Sequence, residues 1–208
     1  MIDPQAIAEN IQRLISKRSP NDIHISMSND VYDGVRYITF TAMDNATFRE
    51  SYTFLTMLSD MLGLDDRKET WMNPHFMDDW EAIKPFVMDA INKDNRIPVV
   101  LSGHGVAGAV SVIAGYHLMM HNYTLERVVT FGAPKALNYK RKFNDFFIAL
   151  GLITEQYVLK NDPMPKMFRW TKYCSANRTV LGFSGDSCGI KNYADVLRFE
   201  EKGMTYER

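Results

Sequence analysis

The chain has 208 residues, 46 % of them hydrophobic and 24 % charged, with a formal net charge of −1. That length and apolar content suffice for one domain over 1–208 with a substantial core, and the balanced charge lacks the basic footprint of nucleic-acid binding. No apolar run reaches the roughly 20 residues of a bilayer span, so neither a nucleic-acid partner nor an integral membrane span is expected.

Met1-Ile2-Asp3-Pro4-Gln5-Ala6 opens a polar amphipathic helix, about Pro4–Lys17, with Ile7, Ile11, Leu14 and Ile15 on one face. This is not the charged-then-apolar pattern of a signal peptide, and a cytoplasmic location is expected. Two strands, Asp22–Met27 and Val35–Thr41, precede a helical region over Phe48–Leu62 and a charged, aperiodic loop over Gly63–Pro74. Next come a helix over Phe76–Ile91, a strand over Ile97–Ser102 and an apolar helix over Val106–Met120. A strand at Arg127–Phe131, a helix at Tyr139–Leu150, a strand at Glu155–Lys160, a hairpin near Phe168–Phe183 and a last helix near Lys191–Glu201 complete the order. This alternation predicts an α/β fold, a mostly parallel central sheet flanked by helices on both faces. Cys174 and Cys188 are expected as free thiols. The methionines, Met57, Met61, Met72, Met77 and Met88 among them, supply adaptable apolar packing.

The chemistry concentrates at Gly103-His104-Gly105-Val106-Ala107-Gly108, between a β-branched run and the apolar helix. Strand, sharp turn and helix form the setting of a nucleophile elbow, G-x-S-x-G, whose central side chain is exposed and whose following N–H helps bind an oxyanion. Gly105 stands at that centre and carries no side chain. The three glycines also fit a tight strand-to-helix turn with close packing and nothing more. The stretch matches G-x-G-x-x-G as well, but a dinucleotide site puts it in the first βαβ unit with an acidic residue ending the next strand. Here Glu126 precedes the strand at Arg127–Phe131, and no cofactor is expected. His117 and His121 share a metal-compatible i, i+4 spacing, yet Leu118-Met119-Met120 between them lacks the Glu of H-E-x-x-H. They are read as a helix face or cap, and no metal is expected.

Five segments in order resemble the class 3, fungal-type lipases of the α/β-hydrolase superfamily. Gly103, His104 and Gly108 match that family's G-H-S-L-G-G elbow. Tyr37-Ile38-Thr39-Phe40-Thr41-Ala42-Met43-Asp44 is similar to its I-x-F-R-G-T oxyanion strand, with Thr41 where Arg is usual. Pro74-His75-Phe76 stands in the place of H-x-G-F, Val129-Thr130-Phe131-Gly132-Ala133-Pro134-Lys135 resembles V-T-F-G-x-P-R, and Asn161-Asp162-Pro163-Met164-Pro165 resembles N-D-x-V-P.

The resemblance implies an α/β-hydrolase-like sheet, Gly105 at the nucleophile position and Asp162 as the remnant triad acid. It makes Thr41, Ala42 and Val106 the oxyanion or ligand-binding positions, and Gly103, His104 and Gly108 the structural residues of the elbow, with His104 packed behind it. Gly63–Pro74 lies where such lipases carry lid insertions. A triad in this fold runs Ser, Asp, His along the chain. The histidines are His24, His75, His104, His117 and His121, all before Asp162, and the segment nearest the family's His, Ser187–Tyr193, has no imidazole.

A lipase-like pseudoenzyme is therefore expected, a binding or assembly module for a protein partner or a small acyl or anionic ligand. An active ester hydrolase with displaced machinery is the alternative, drawing on Ser102, Ser111 or a cysteine; both serines lie badly for attack beside the Val106 N–H. A purely structural subunit is the third reading.

Overall fold

Asp3 starts the first helix, α1 (Pro4–Ser16): its side chain accepts the Gln5 N–H at 3.1 Å, and Pro4 occupies a first-turn position where no N–H is needed. In the computed structural model, which describes residues 3–17, 25–42, 74–138, 145–166, 173–174, 178–181 and 189–201, the chain continues through β1 (Ser26–Tyr32), β2 (Val35–Thr41), α2 (Pro74–Asn92) and β3 (Val99–His104). Then follow α3 (Val106–Met120), β4 (Leu125–Phe131), β5 (Leu137–Asn138), α4 (Asp145–Ile153), β6 (Thr154–Leu159), β7 (Tyr173–Cys174), β8 (Arg178–Leu181) and α5 (Ile190–Glu201).

Six strands form one sheet in the order β1-β2-β3-β4-β6-β8. Only β1 runs antiparallel; β2, β3, β4, β6 and β8 are mutually parallel. The α/β architecture expected from alternation is thus observed. Side chains alternate between two cores. Ile38, Phe40, Val99, Leu101 and Val128 pack under α2 and α3, whereas Val129, Phe131, Leu159 and Leu181 pack under α1 and α5. The helix α3 is buried from Val106 through Gly115, so it shows no polar stripe, and its apolar composition is what a helix enclosed all round requires.

Two local readings are corrected. The first strand begins at Ser26 and extends to Tyr32, where a run ending at Met27 was expected; residues 22–24 lie outside the described part. Its polar, exposed second half has poor strand propensity, and pairing with β2 overrides that. Asp33 (φ 50°) and Gly34 (φ 74°) make the turn, an Asp-Gly hairpin signal that was present in the sequence. Nor do Tyr173–Cys174 and Arg178–Leu181 pair as a hairpin. β7 pairs with β5 in a separate two-stranded ribbon, and β8 runs parallel to β6 at the edge of the main sheet. The predicted helix at 48–62, the loop at 63–73 and Cys188 lie outside the described residues.

Candidate functional site

The parallel register sets Phe40 beside Gly103 and Gly103 beside Thr130, so the carboxyl ends of β2, β3 and β4 reach one level. At that level β3 turns into α3 through Gly105, with φ +56° and ψ −127°. Glycine reaches this backbone without steric cost, whereas a side chain there costs about 1–3 kcal/mol. The Gly105 N–H donates to the Phe131 carbonyl at 2.9 Å, and its own carbonyl accepts from the Ala109 N–H at 3.2 Å, the first bond of the helix. No side chain caps α3, which leaves the Val106 N–H at a helix N-terminus favourable to anions and carbonyl oxygens.

The flanking glycines do a different job. A Cβ on Gly103 would stand 2.7 Å from Ser111 Oγ, and one on Gly108 would stand 2.9 Å from the Ala133 Cβ and 3.0 Å from the Gly103 carbonyl. They let α3 lie close on the sheet. Of the three elbow glycines, Gly105 alone has the positive φ that calls for glycine on conformational grounds.

Asp162 follows β6 and is buried. Its Oδ1 accepts the Met164 N–H at 2.8 Å, and its Oδ2 accepts the Tyr193 hydroxyl from α5. Tyr193 Oη in turn accepts the Leu159 N–H at 3.2 Å, and the ring stands edge-on to His104 and Phe131, each with centroids 5.8 Å away. Gly132 (φ +58°) clears the space: a Cβ there would run into Asp162 Oδ2 and lie 2.7 Å from Tyr193 Oη. The carboxylate that would orient a histidine in a triad is instead held by a phenol and a backbone amide. Sequence reasoning missed both Tyr193 and Gly132. Tyr193 ends the segment noted as lacking an imidazole, and Gly132 sits inside the V-T-F-G-x-P-R match.

His104 is buried behind the turn and contacts Tyr193. Thr41 and Ala42, both buried, end β2 beside the turn, and Thr41 Oγ1 shares a hydrogen bond of 2.9 Å with Ser26 Oγ. Neither displaced serine faces the site. Ser102 Oγ shares a hydrogen bond of 3.0 Å with Thr39 Oγ1 on the α1 side of the sheet, and Ser111 Oγ donates to the Ala107 carbonyl at 2.8 Å inside α3. Glu126 is the second residue of β4, far from the turn at that strand's other end. Among the described residues, no three His, Cys, Asp or Glu side chains group as metal ligands. His117 packs against Trp80 of α2 with centroids 5.5 Å apart, and His121 ends α3, its N–H donating to the His117 carbonyl at 3.2 Å.

A sheet with five parallel strands, helices on both faces, a glycine turn from a central strand into a buried helix and an acid beyond β6 defines an α/β-hydrolase fold. The model of the lipase (class 3) family matches residues 38–172, and the chain belongs to that family. No curated protein sequence matches it. Among solved structures, the lipase of Rhizopus microsporus var. chinensis is similar at 18 % identity and TM-score 0.52, over 79 % of this chain and 59 % of that one. The N225Q form of MDLA from Penicillium cyclopium gives 13 % identity and TM-score 0.58, over 82 % and 63 %. A structure described for an unusual buried polar cluster in a family of fungal lipases gives 15 % and 0.55, over 76 % and 58 %. The chain spans about three-fifths of the length of these structures.

Proposed function

We propose that this protein, one domain over 1–208, is a lipase-fold pseudoenzyme: a binding or assembly module that kept the family's elbow and lost its nucleophile and base. The observation that carries this reading is Gly105, which holds an elbow backbone that only a residue with a side chain would find strained, and which has no side chain to attack a carbonyl carbon. The hydroxyl of Tyr193 on Asp162, and the lack of any histidine between Asp162 and Arg208, support it from the side of the base. What remains is a cradle. The Val106 amide and the end of β2 at Thr41 and Ala42 offer backbone donors to a carbonyl or carboxylate oxygen, so the ligand class is a small acyl or anionic molecule, or a protein segment that presents such a group. The hydrogen bonds that occupy Ser102 and Ser111 weigh against an active hydrolase.

The purified protein should not hydrolyse p-nitrophenyl acetate or octanoate above the buffer rate by more than the roughly 10³–10⁴-fold that binding and oxyanion donors alone supply. Turnover that titrates with a fluorophosphonate probe, the label mapping to a residue of this chain, would overturn the reading. Octanoate titrated into ¹⁵N-labelled protein should shift the amides of Val106 and Ala107 saturably. Silence at those amides would leave a structural subunit as the better description.

A further inference from the structure

On the sheet face opposite α3, a cavity of about 470 Å³ lies between α1 and strands β1–β3. Its size falls within the roughly 300–1,000 Å³ of small-molecule sites. Tyr37 and Thr39 alternate with Ile38 and Phe40, which pack under α3, so the cavity and the elbow turn lie on different faces of the same strands. On the helix side, Ala6, Glu9, Asn10 and Arg13 recur at the three- and four-residue spacing of a single α1 stripe. Hydroxyls make the floor: Thr39 and Ser102 line it, buried and bonded to each other.

We propose that this groove is a second binding site, for a neutral hydroxyl-rich ring of the size of one or two sugar units. Charge argues for neutrality. Glu9 is taken up by Gln5 at 2.8 Å and Arg198 at 2.6 Å; Arg13, which donates to Asn10 Oδ1 at 2.8 Å on the helix rim, and Asp30 on the strand rim then balance in charge. An anion would face Asp30 and a cation Arg13, whereas hydroxyl groups can donate to the carboxylate and accept from the guanidinium. The tyrosines supply the flat surface. Asp30 faces Tyr37 across the ladder, so Tyr32 is the diagonal neighbour of Tyr37 on the same face, and both line the groove. The C–H face of a pyranose packs on such rings while its edge hydroxyls reach Asn10, Arg13, Asp30 and the floor.

The test is a titration of the ¹⁵N-labelled full chain with methyl α-glucopyranoside, methyl α-mannopyranoside and methyl β-galactopyranoside. At least one should shift amides in α1 and in residues 30–39 saturably, with Val106–Ala109 unmoved. Arg13→Ala and Asp30→Asn, both at exposed positions, should each weaken that binding roughly two- to tenfold, the worth of one hydrogen bond. No saturable shift with any of the three glycosides would overturn the proposal. So would binding indifferent to both substitutions, or sodium acetate displacing the glycoside from the same amides.

Discussion

At the scale of single residues, the absence of a side chain at the elbow's centre and the relief of backbone strain coincide at one position. Gly105 keeps φ +56° and ψ −127°, so the backbone that would present a serine is still built. Gly105→Ser should therefore lower stability by about 1–3 kcal/mol and, on the proposed reading, restore no hydrolysis, because no histidine lies between Asp162 and Arg208 to serve as the base. Denaturant midpoints of the two proteins decide it, and an unchanged midpoint would mean that the turn relaxes to accept the side chain. Tyr193 makes the complementary prediction. Tyr193→Phe keeps the ring against His104 and Phe131 but takes the donor from Asp162 and the acceptor from the Leu159 N–H, both buried, and should cost about 1–3 kcal/mol. A thermal scan showing no loss would mean that water replaces the hydroxyl. These roles were unequally legible in the sequence. Gly105 and Asp162 stand in motifs read along the chain, whereas the Tyr193 contact joins residues 31 apart and leaves no local trace.

At the scale of elements, the sequence read best where burial alone decides. The apolar run at Val106–Met120 predicts a helix with the observed bounds, since a fully enclosed helix needs no partner-specific pattern. It read worst at sheet edges, where β1 is polar and β8 takes its register from β6, a strand distant in sequence. The packing of α2 on α3 carries a pH prediction. Burial first, and the charge of Lys84 second, hold His117 below the ordinary 6.5, with Glu81 opposing and His121 adding to the shift. Among the described residues, His117 Nε2 and Trp80 Nε1 are both buried without a hydrogen-bond partner, so a proton on Nε2 would add another unmatched donor. As pH falls below 6.5 the unfolded chain takes up this proton first, so the stability contributed by neutral His117 is complete above 6.5 and declines toward the lowered folded value. Urea midpoints at pH 7.5 and 5.5 should show a smaller acid loss in His117→Gln than in the unaltered chain. Equal losses would remove His117 as a cause.

At the scale of the whole molecule, one sheet serves two faces with different tasks. The α3 side carries the elbow and the larger core, and the α1 side carries Tyr193 and the helix pair α1 and α5, tied at its rim by Arg198 and Glu9. An exposed pair such as that contributes little, about 0–1 kcal/mol. The docking of α1 rests instead on Ile7, Ala8 and Ile11, all buried. The enclosure of α3 bears on time as well as on energy. Protein surrounds Val110 to Gly115, whose amides lie beyond the open first turn, so solvent reaches them only when the sheet itself parts from its helices. Deuterium should then enter Val110–Leu118 at the rate of global opening and accelerate with denaturant as steeply as the whole molecule unfolds, while α1 exchanges through a cheaper local release. The turn at Gly105 is thereby tethered to the slowest clock in the protein, and a ligand seated on Val106 would meet a surface that hardly breathes.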